Sequence, residues 1–178
     1  MSQGFVSEFI EVEGLKAHVW HGGDGYPLLL MHGAGPGTSA AGNFAKVRAP
    51  LADRYKVYGT DMIGFGQSDR KINPPFFDYD LWLRQMEVVL DSIPATRIGL
   101  VGHSISATYA MRLAGTNSKV EKILLTCPVG TDFEPNPDLD ILWTFPEDEA
   151  ALRRALCVLI NNVDLITDEL VKSRMEIL

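Results

Sequence analysis

The chain has 178 residues, 46% of them hydrophobic and 22% charged, which suits one folded domain with its own core. A formal net charge of -7 argues against a nucleic-acid partner, and no apolar run is long enough to span a bilayer. The first eight residues lack a basic region and an apolar core, so no signal peptide is expected. Two cysteines, Cys127 and Cys157, lack metal-ligand spacing and sit among apolar neighbours, which predicts buried free thiols in a reducing cytoplasm.

Residues 5–13 and 15–21 alternate apolar and polar side chains around Gly14, the pattern of an antiparallel hairpin at a sheet edge. Gly22 to Gly25 reads as a turn, and Pro27 to Met31 as a strand buried on both faces. His32-Gly33-Ala34-Gly35-Pro36-Gly37 follows as an irregular loop whose backbone can approach another group closely. Residues 43–53 read as helix and 55–59 as a short strand. The segment 61–69 is a second glycine-bearing loop, and 70–76 is irregular. Apolar spacing over 78–92 predicts a helix that Pro94 ends.

Residues 97–102 form the next strand, 104–115 the next helix and 120–126 a further strand. Alternating strands and helices predict a doubly wound, mostly parallel α/β sheet, with ligands beyond the carboxyl ends of its strands. The loops 32–37, 61–69 and 102–106 all fall at that edge. After Pro128 the chain changes character. Pro135, Pro137 and Pro146 punctuate an extended passage, and helices are expected over about 147–160 and 167–177. We read 1–129 as sheet core and 130–178 as a partial helical lid.

Gly102-His103-Ser104-Ile105-Ser106 lies between strand and helix. It matches G-x-S-x-G except that Ser106, also small, replaces the last glycine. Such a turn presents a serine hydroxyl as a nucleophile, with oxyanion donors from the N–H groups of Ile105 and, one strand earlier, Ala34. The alternative is that Ser104 merely caps the helix.

These residues carry a resemblance to the α/β-hydrolase family. Within it the chain is similar to the meta-cleavage product hydrolases, which cut a carbon–carbon bond in 2-hydroxy-6-oxo-dienoates. The matching stretches are 32–37 with Asn43, 61–69, 102–106, Pro128-Val129-Gly130-Thr131, and 164–170 with Arg174. The resemblance implies that Ser104 is the nucleophile and that Ala34 and Ile105 form the oxyanion hole. It also implies that Asn43, His103 and Arg174 bind the polar end of a small anionic substrate. Arg174 could equally be a solvated helix residue, and Asn43 a helix cap. No metal or cofactor is implied; a cytoplasmic homodimer is.

Two departures stand out. His103 occupies a position where the subfamily usually has Asn, and Gly-His-Ser also suits a carboxylesterase. The family's chain order is Ser, then Asp or Glu, then His, with the last two after the lid. The 178 residues end within the lid, and no histidine among His18, His21, His32 and His103 is placed as a base. Asp61 and Asp69 read as loop-shaping acceptors. The implied fold therefore lacks its last strands, and the chain reads as part of a longer enzyme, a shortened inactive product, or a ligand-binding module without a triad.

Overall fold

A computed structural model describes residues 4–130, 132, 134 and 136–178. Thr131 and Pro135, named in the sequence reading, lie outside the described residues. The described residues of Met1–Gly33 and Ser39–Gly130 form one compact unit, and those of Ala34–Thr38 and Thr131–Leu178 form a second.

The first unit is built on a six-stranded sheet. Its strands are β1 (Val6–Val12), β2 (Leu15–Gly22), β3 (Tyr26–Met31), β4 (Tyr55–Thr60), β5 (Ile98–His103) and β6 (Val120–Thr126), in the order β1-β2-β4-β3-β5-β6. β1 and β2 form the expected antiparallel hairpin, and β2 also runs antiparallel to β4. The pairs β3–β4, β3–β5 and β5–β6 are parallel. The central position of β3 shows in its sequence: Leu29, Leu30 and Met31 have no exposed surface, as a strand covered on both faces requires. At the other extreme β6 is an edge strand, and Leu124 is 60% exposed.

Successive connections from β3 leave in opposite directions, first to β4 and then across to β5 on its other side. That reversal opens a crevice beyond the carboxyl ends of β3 and β5, the usual ligand position in such sheets. The register pairs Met31 with Gly102, so the loop starting at His32 and the turn starting at His103 leave the sheet side by side.

Helix α3 (Tyr79–Ser92) is capped by Asp78, whose carboxylate accepts from Leu81 N at 3.1 Å, and it buries Leu81, Trp82, Met86, Val89 and Leu90. Helix α4 (Ile105–Thr116) buries Ala107, Tyr109, Ala110 and Leu113. The single helix expected over 43–53 is instead two short ones, α1 (Ala40–Asn43) and α2 (Arg48–Ala52). Pro50 explains the break: its ring would clash with a helical carbonyl at residue 46, so one helix cannot run through both turns. Ser39 caps α1, its hydroxyl accepting from Gly42 N at 3.1 Å; Asn43 ends that helix rather than capping it.

The second unit holds α5 (Pro137–Trp143), α6 (Glu149–Leu159), a 3-10 turn (Val163–Leu165) and α7 (Asp168–Met175). Leu152, Leu156, Ile166 and Val171 form its core. Pro137 opens α5 rather than marking extended chain, because a first-turn proline gives up an N–H that has no partner there. The cysteines also depart from expectation, since both are exposed. Cys157 lies on the face of α6 opposite its buried Leu152, Ala155 and Leu156, and Cys127 follows the open strand β6.

The buried carboxylate of Asp61 ties the first unit together. Its Oδ1 accepts from Ala40 N at 2.6 Å, and its Oδ2 from His18 Nδ1 at 2.8 Å and Gln67 N at 3.0 Å. Asp69 similarly accepts from Lys16 N at 2.8 Å. Both aspartates shape loops, as the sequence suggested. Burial pushes the Asp61 carboxyl up, but the bonds from His18, Gln67 and Ala40 outweigh it and hold it below the usual carboxylate value. The folded state therefore keeps Asp61 ionised at a pH where the unfolded chain has begun to bind a proton. Its contribution to stability is full above about pH 4 and is lost as pH falls through the folded value. Asp61→Ala should cost about 3–5 kcal/mol in urea denaturation at pH 7, because it strips the partner from buried donors. It should also flatten the loss of stability below about pH 4.

Candidate active site

Ser104 sits where β5 passes into α4, with φ 57° and ψ −123°, a left-handed conformation that a non-glycine residue rarely adopts. Three backbone bonds hold it there. Ser104 N donates to Thr126 O at 2.9 Å, and Ser104 O accepts from Ala107 N at 3.0 Å and from Val129 N at 3.5 Å. Ser104 occupies the N-cap position of α4, yet its side chain makes no capping bond. The hydroxyl is thus uncommitted to the helix, which disfavours the capping role. A strained strand-to-helix serine of this kind has the backbone geometry of a nucleophile elbow.

Close packing allows the turn. A Cβ on Gly102 would lie 2.8 Å from Ala107 Cα, so the first turn of α4 crosses directly over the end of β5. The crossing depends on Gly102 and Ala107 rather than on a glycine at 106. Ser106 is buried, and its hydroxyl donates to the carbonyl of His32, fastening the elbow to the end of β3. Nothing in the sequence pattern distinguishes that bond from a merely tolerated small residue. A Cβ on Gly33 would lie 2.9 Å from Ser104 Cβ, so backbone from the β3 loop passes against the serine.

His32 shapes the loop it opens. Its Nε2 accepts from Met62 N at 2.9 Å, which leaves Nδ1 as the donor to Gly33 O at 2.7 Å. Burial lowers its pKa and keeps it neutral, against the smaller opposing effects of the Gly33 bond and Asp61. Asn43 is half-buried, and its Oδ1 accepts from Gly33 N at 3.3 Å. His103 is half-buried, and its Nδ1 lies 2.9 Å from Thr126 Oγ1. Burial lowers the His103 pKa too, with the Thr126 bond opposing. Thr126 thus fixes the ring beside Ser104, a role the sequence did not single out.

The first unit accordingly brings together Ser104, Ile105, His103, Gly33 and Asn43. Ala34 and Arg174 belong to the second unit. There, Arg174 is half-buried on α7, and its Nη1 donates to Pro36 O at 2.9 Å and lies 3.5 Å from Thr38 Oγ1. Gly37 has φ 60°, and a Cβ there would lie 2.4 Å from Arg174 O. Arg174 is therefore packed against the glycine loop rather than solvated. Each histidine is engaged away from Ser104: His18 with Asp61, His21 with Lys56, His32 with Gly33 and Met62, His103 with Thr126. No helix among the described residues is long and apolar enough to cross a membrane.

Known proteins resemble this chain in sequence and fold. The chain is 31% identical over 164 residues to the 2-hydroxymuconate semialdehyde hydrolase of Pseudomonas sp. (strain CF600), covering 92% of this chain and 58% of that protein. It is 27% identical over 173 residues to a 2-hydroxy-6-oxo-2,4-heptadienoate hydrolase of Pseudomonas putida, covering 95% and 61%. A meta-cleavage product hydrolase from Pseudomonas fluorescens IP01, solved as a serine-to-alanine mutant with acetates, superposes with a TM-score of 0.85. It is 27% identical over 95% of this chain and 62% of its own. The chain spans about three fifths of the length of these relatives. The alpha/beta hydrolase fold family matches residues 26–177, and with the elbow at Ser104 in place the chain belongs to that family.

Proposed function

We propose that this chain carries the nucleophile and the carboxylate-binding half of a hydrolase for the carbon–carbon bond of 2-hydroxy-6-oxo-dienoates. The observation that carries the reading is Ser104, held at φ 57° with its hydroxyl free of any capping bond. In the complete reaction Ser104, or a water activated by the full triad, adds to the 6-oxo carbonyl. The N–H groups of Ile105 and Ala34 are the donors we assign to the oxyanion. Arg174, Asn43 and His103 hold the carboxylate and 2-oxo end. A half-buried guanidinium whose charge burial disfavours gains most from a substrate carboxylate, which it can bind through two parallel hydrogen bonds. We read 130–178 as part of the lid over such a substrate. Free cysteines suit a cytoplasmic setting, and a homodimer without cofactor is the form this reading implies.

A carboxylesterase is the second reading, favoured by His103 beside the nucleophile. Substrate charge separates the two. The isolated chain should bind a non-hydrolysable dienoate carboxylate, and Arg174→Ala should weaken that binding at least about tenfold, by the loss of a charged hydrogen bond. Calorimetric titration measures this; an unchanged Kd, or equal competition by a neutral ester, would remove Arg174 from the site. A third reading, a binding module without a triad, shares the binding but lacks catalysis in any longer form.

The 178-residue chain alone should show no serine-hydrolase turnover, since none of its four histidines is bonded to Ser104. Oxyanion donors and binding alone leave only about 10³–10⁴-fold over water. Steady-state assays with a ring-fission dienoate and with a p-nitrophenyl ester check this, and turnover at the level of an intact hydrolase would overturn it.

A further inference from the structure

We propose that Ser7, His18 and Asp61 form a second nucleophile site, on the β1–β2 edge of the sheet, at which activated phosphonyl and acyl electrophiles modify Ser7. The site is independent of the reading given above for Ser104. Its basis is a continuous hydrogen-bonded chain: Ser7 Oγ lies 2.5 Å from His18 Nε2, and His18 Nδ1 lies 2.8 Å from Asp61 Oδ2. This is the connectivity of a serine, a base and an orienting carboxylate, and such a constellation is recognised by geometry and roles rather than by place in the sequence.

The proton positions follow from the partners. The Asp61 carboxylate also accepts backbone N–H bonds from Ala40 and Gln67, and these keep it an ionised acceptor. Nδ1 of His18 must then be the donor, and in the neutral ring Nε2 is left as an acceptor for the Ser7 hydroxyl. The imidazole is fixed in that pose. His18 N donates to Ser68 Oγ at 2.8 Å, and His18 O accepts from Asp61 N at 3.0 Å and Thr60 Oγ1 at 3.0 Å. The Phe9 ring lies 5.4 Å from it. His18 and Asp61 are buried, whereas Ser7 is exposed on an edge strand, so the base is shielded and the nucleophile is open to reagents. Across the ladder Ser7 faces Trp20, and its side chain reaches diagonally to His18 on the same face.

With an alkyl fluorophosphonate, Ser7 Oγ attacks phosphorus, the Oγ–P bond forms and the P–F bond breaks. Fluoride leaves with the bonding pair, and the hydroxyl proton passes to His18 Nε2, whose new charge Asp61 stabilises. The event is a single covalent modification. Asp61 acts as the positioning residue and His18 as the base.

The 178-residue chain, incubated with an alkyl fluorophosphonate and followed by peptide mapping, should gain an adduct on Ser7. That adduct should form at least tenfold faster than any on Ser92 or Ser173, exposed serines whose hydroxyls donate to helix carbonyls. His18→Gln should bring Ser7 down to their rate. If that variant does not fold, the nitrogen spectrum of wild-type His18 serves instead: a proton on Nδ1 and none on Nε2 supports the assignment, and the opposite tautomer overturns it. Equal labelling of Ser7, Ser92 and Ser173 overturns it as well. An adduct on Ser104 with none on Ser7 also overturns it, while leaving the reading of Ser104 standing.

Discussion

Both ends of the glycine loop after β3 are tied to one two-residue segment, and the candidate site depends on that tie. His32, at the start of the loop, accepts from Met62 N, and Ala40, just past its end, donates to the Asp61 carboxylate. A loop with three glycines in six residues has little conformational preference of its own. Anchoring its ends removes most of that freedom before any ligand arrives, so Gly33 backbone can lie against Ser104 in a defined place. The cost falls on Asp61 and His32, both buried and polar, and their complete hydrogen bonding is what makes the arrangement stable.

The elbow follows a similar logic. A left-handed serine costs on the order of 1–3 kcal/mol and persists only where its surroundings over-determine it. Here three backbone bonds fix Ser104, Ser106 ties the helix start to His32, and Gly102 lets α4 cross close overhead. The serine that replaces the expected glycine thus adds a bond, and the glycine that matters for helix–strand contact lies two residues before Ser104.

The strands and the elbow were legible in the sequence because their signals are local. Leu28-Leu29-Leu30-Met31 announces a strand covered on both faces, and Gly-His-Ser between a strand and a helix announces the turn. Two helical segments, 43–53 and 137–143, were less so, while the helices at 79–92, 105–116, 149–159 and 168–175 follow their apolar spacing or caps. Pro137 sits in the first turn of a helix, where proline is tolerated, but reads in a bare sequence as a breaker, whereas Pro50 divides into two short helices a stretch that reads as one. Cys157 reads as buried in the sequence because apolar neighbours on a helix occupy several faces, and only the packed structure shows which face is inside. The roles of His18 and Thr126 were hidden for a different reason. His18 meets Asp61 across 43 residues and His103 meets Thr126 across 23, and such pairings become visible only once the strand order brings them together.

The division of the chain bears on how the second unit works. Residues 34–38 belong with the helices that follow residue 130, although they leave directly from β3. Arg174 holds this loop at Pro36 O, and Gly37 packs so tightly on the Arg174 backbone that no side chain fits between them. Any displacement of α7 must therefore carry the loop with it, including the N–H of Ala34. On the role proposed for Arg174, the guanidinium that would engage a substrate carboxylate is the side chain that positions this loop. That proposal couples anion binding to loop geometry within this unit through one shared side chain.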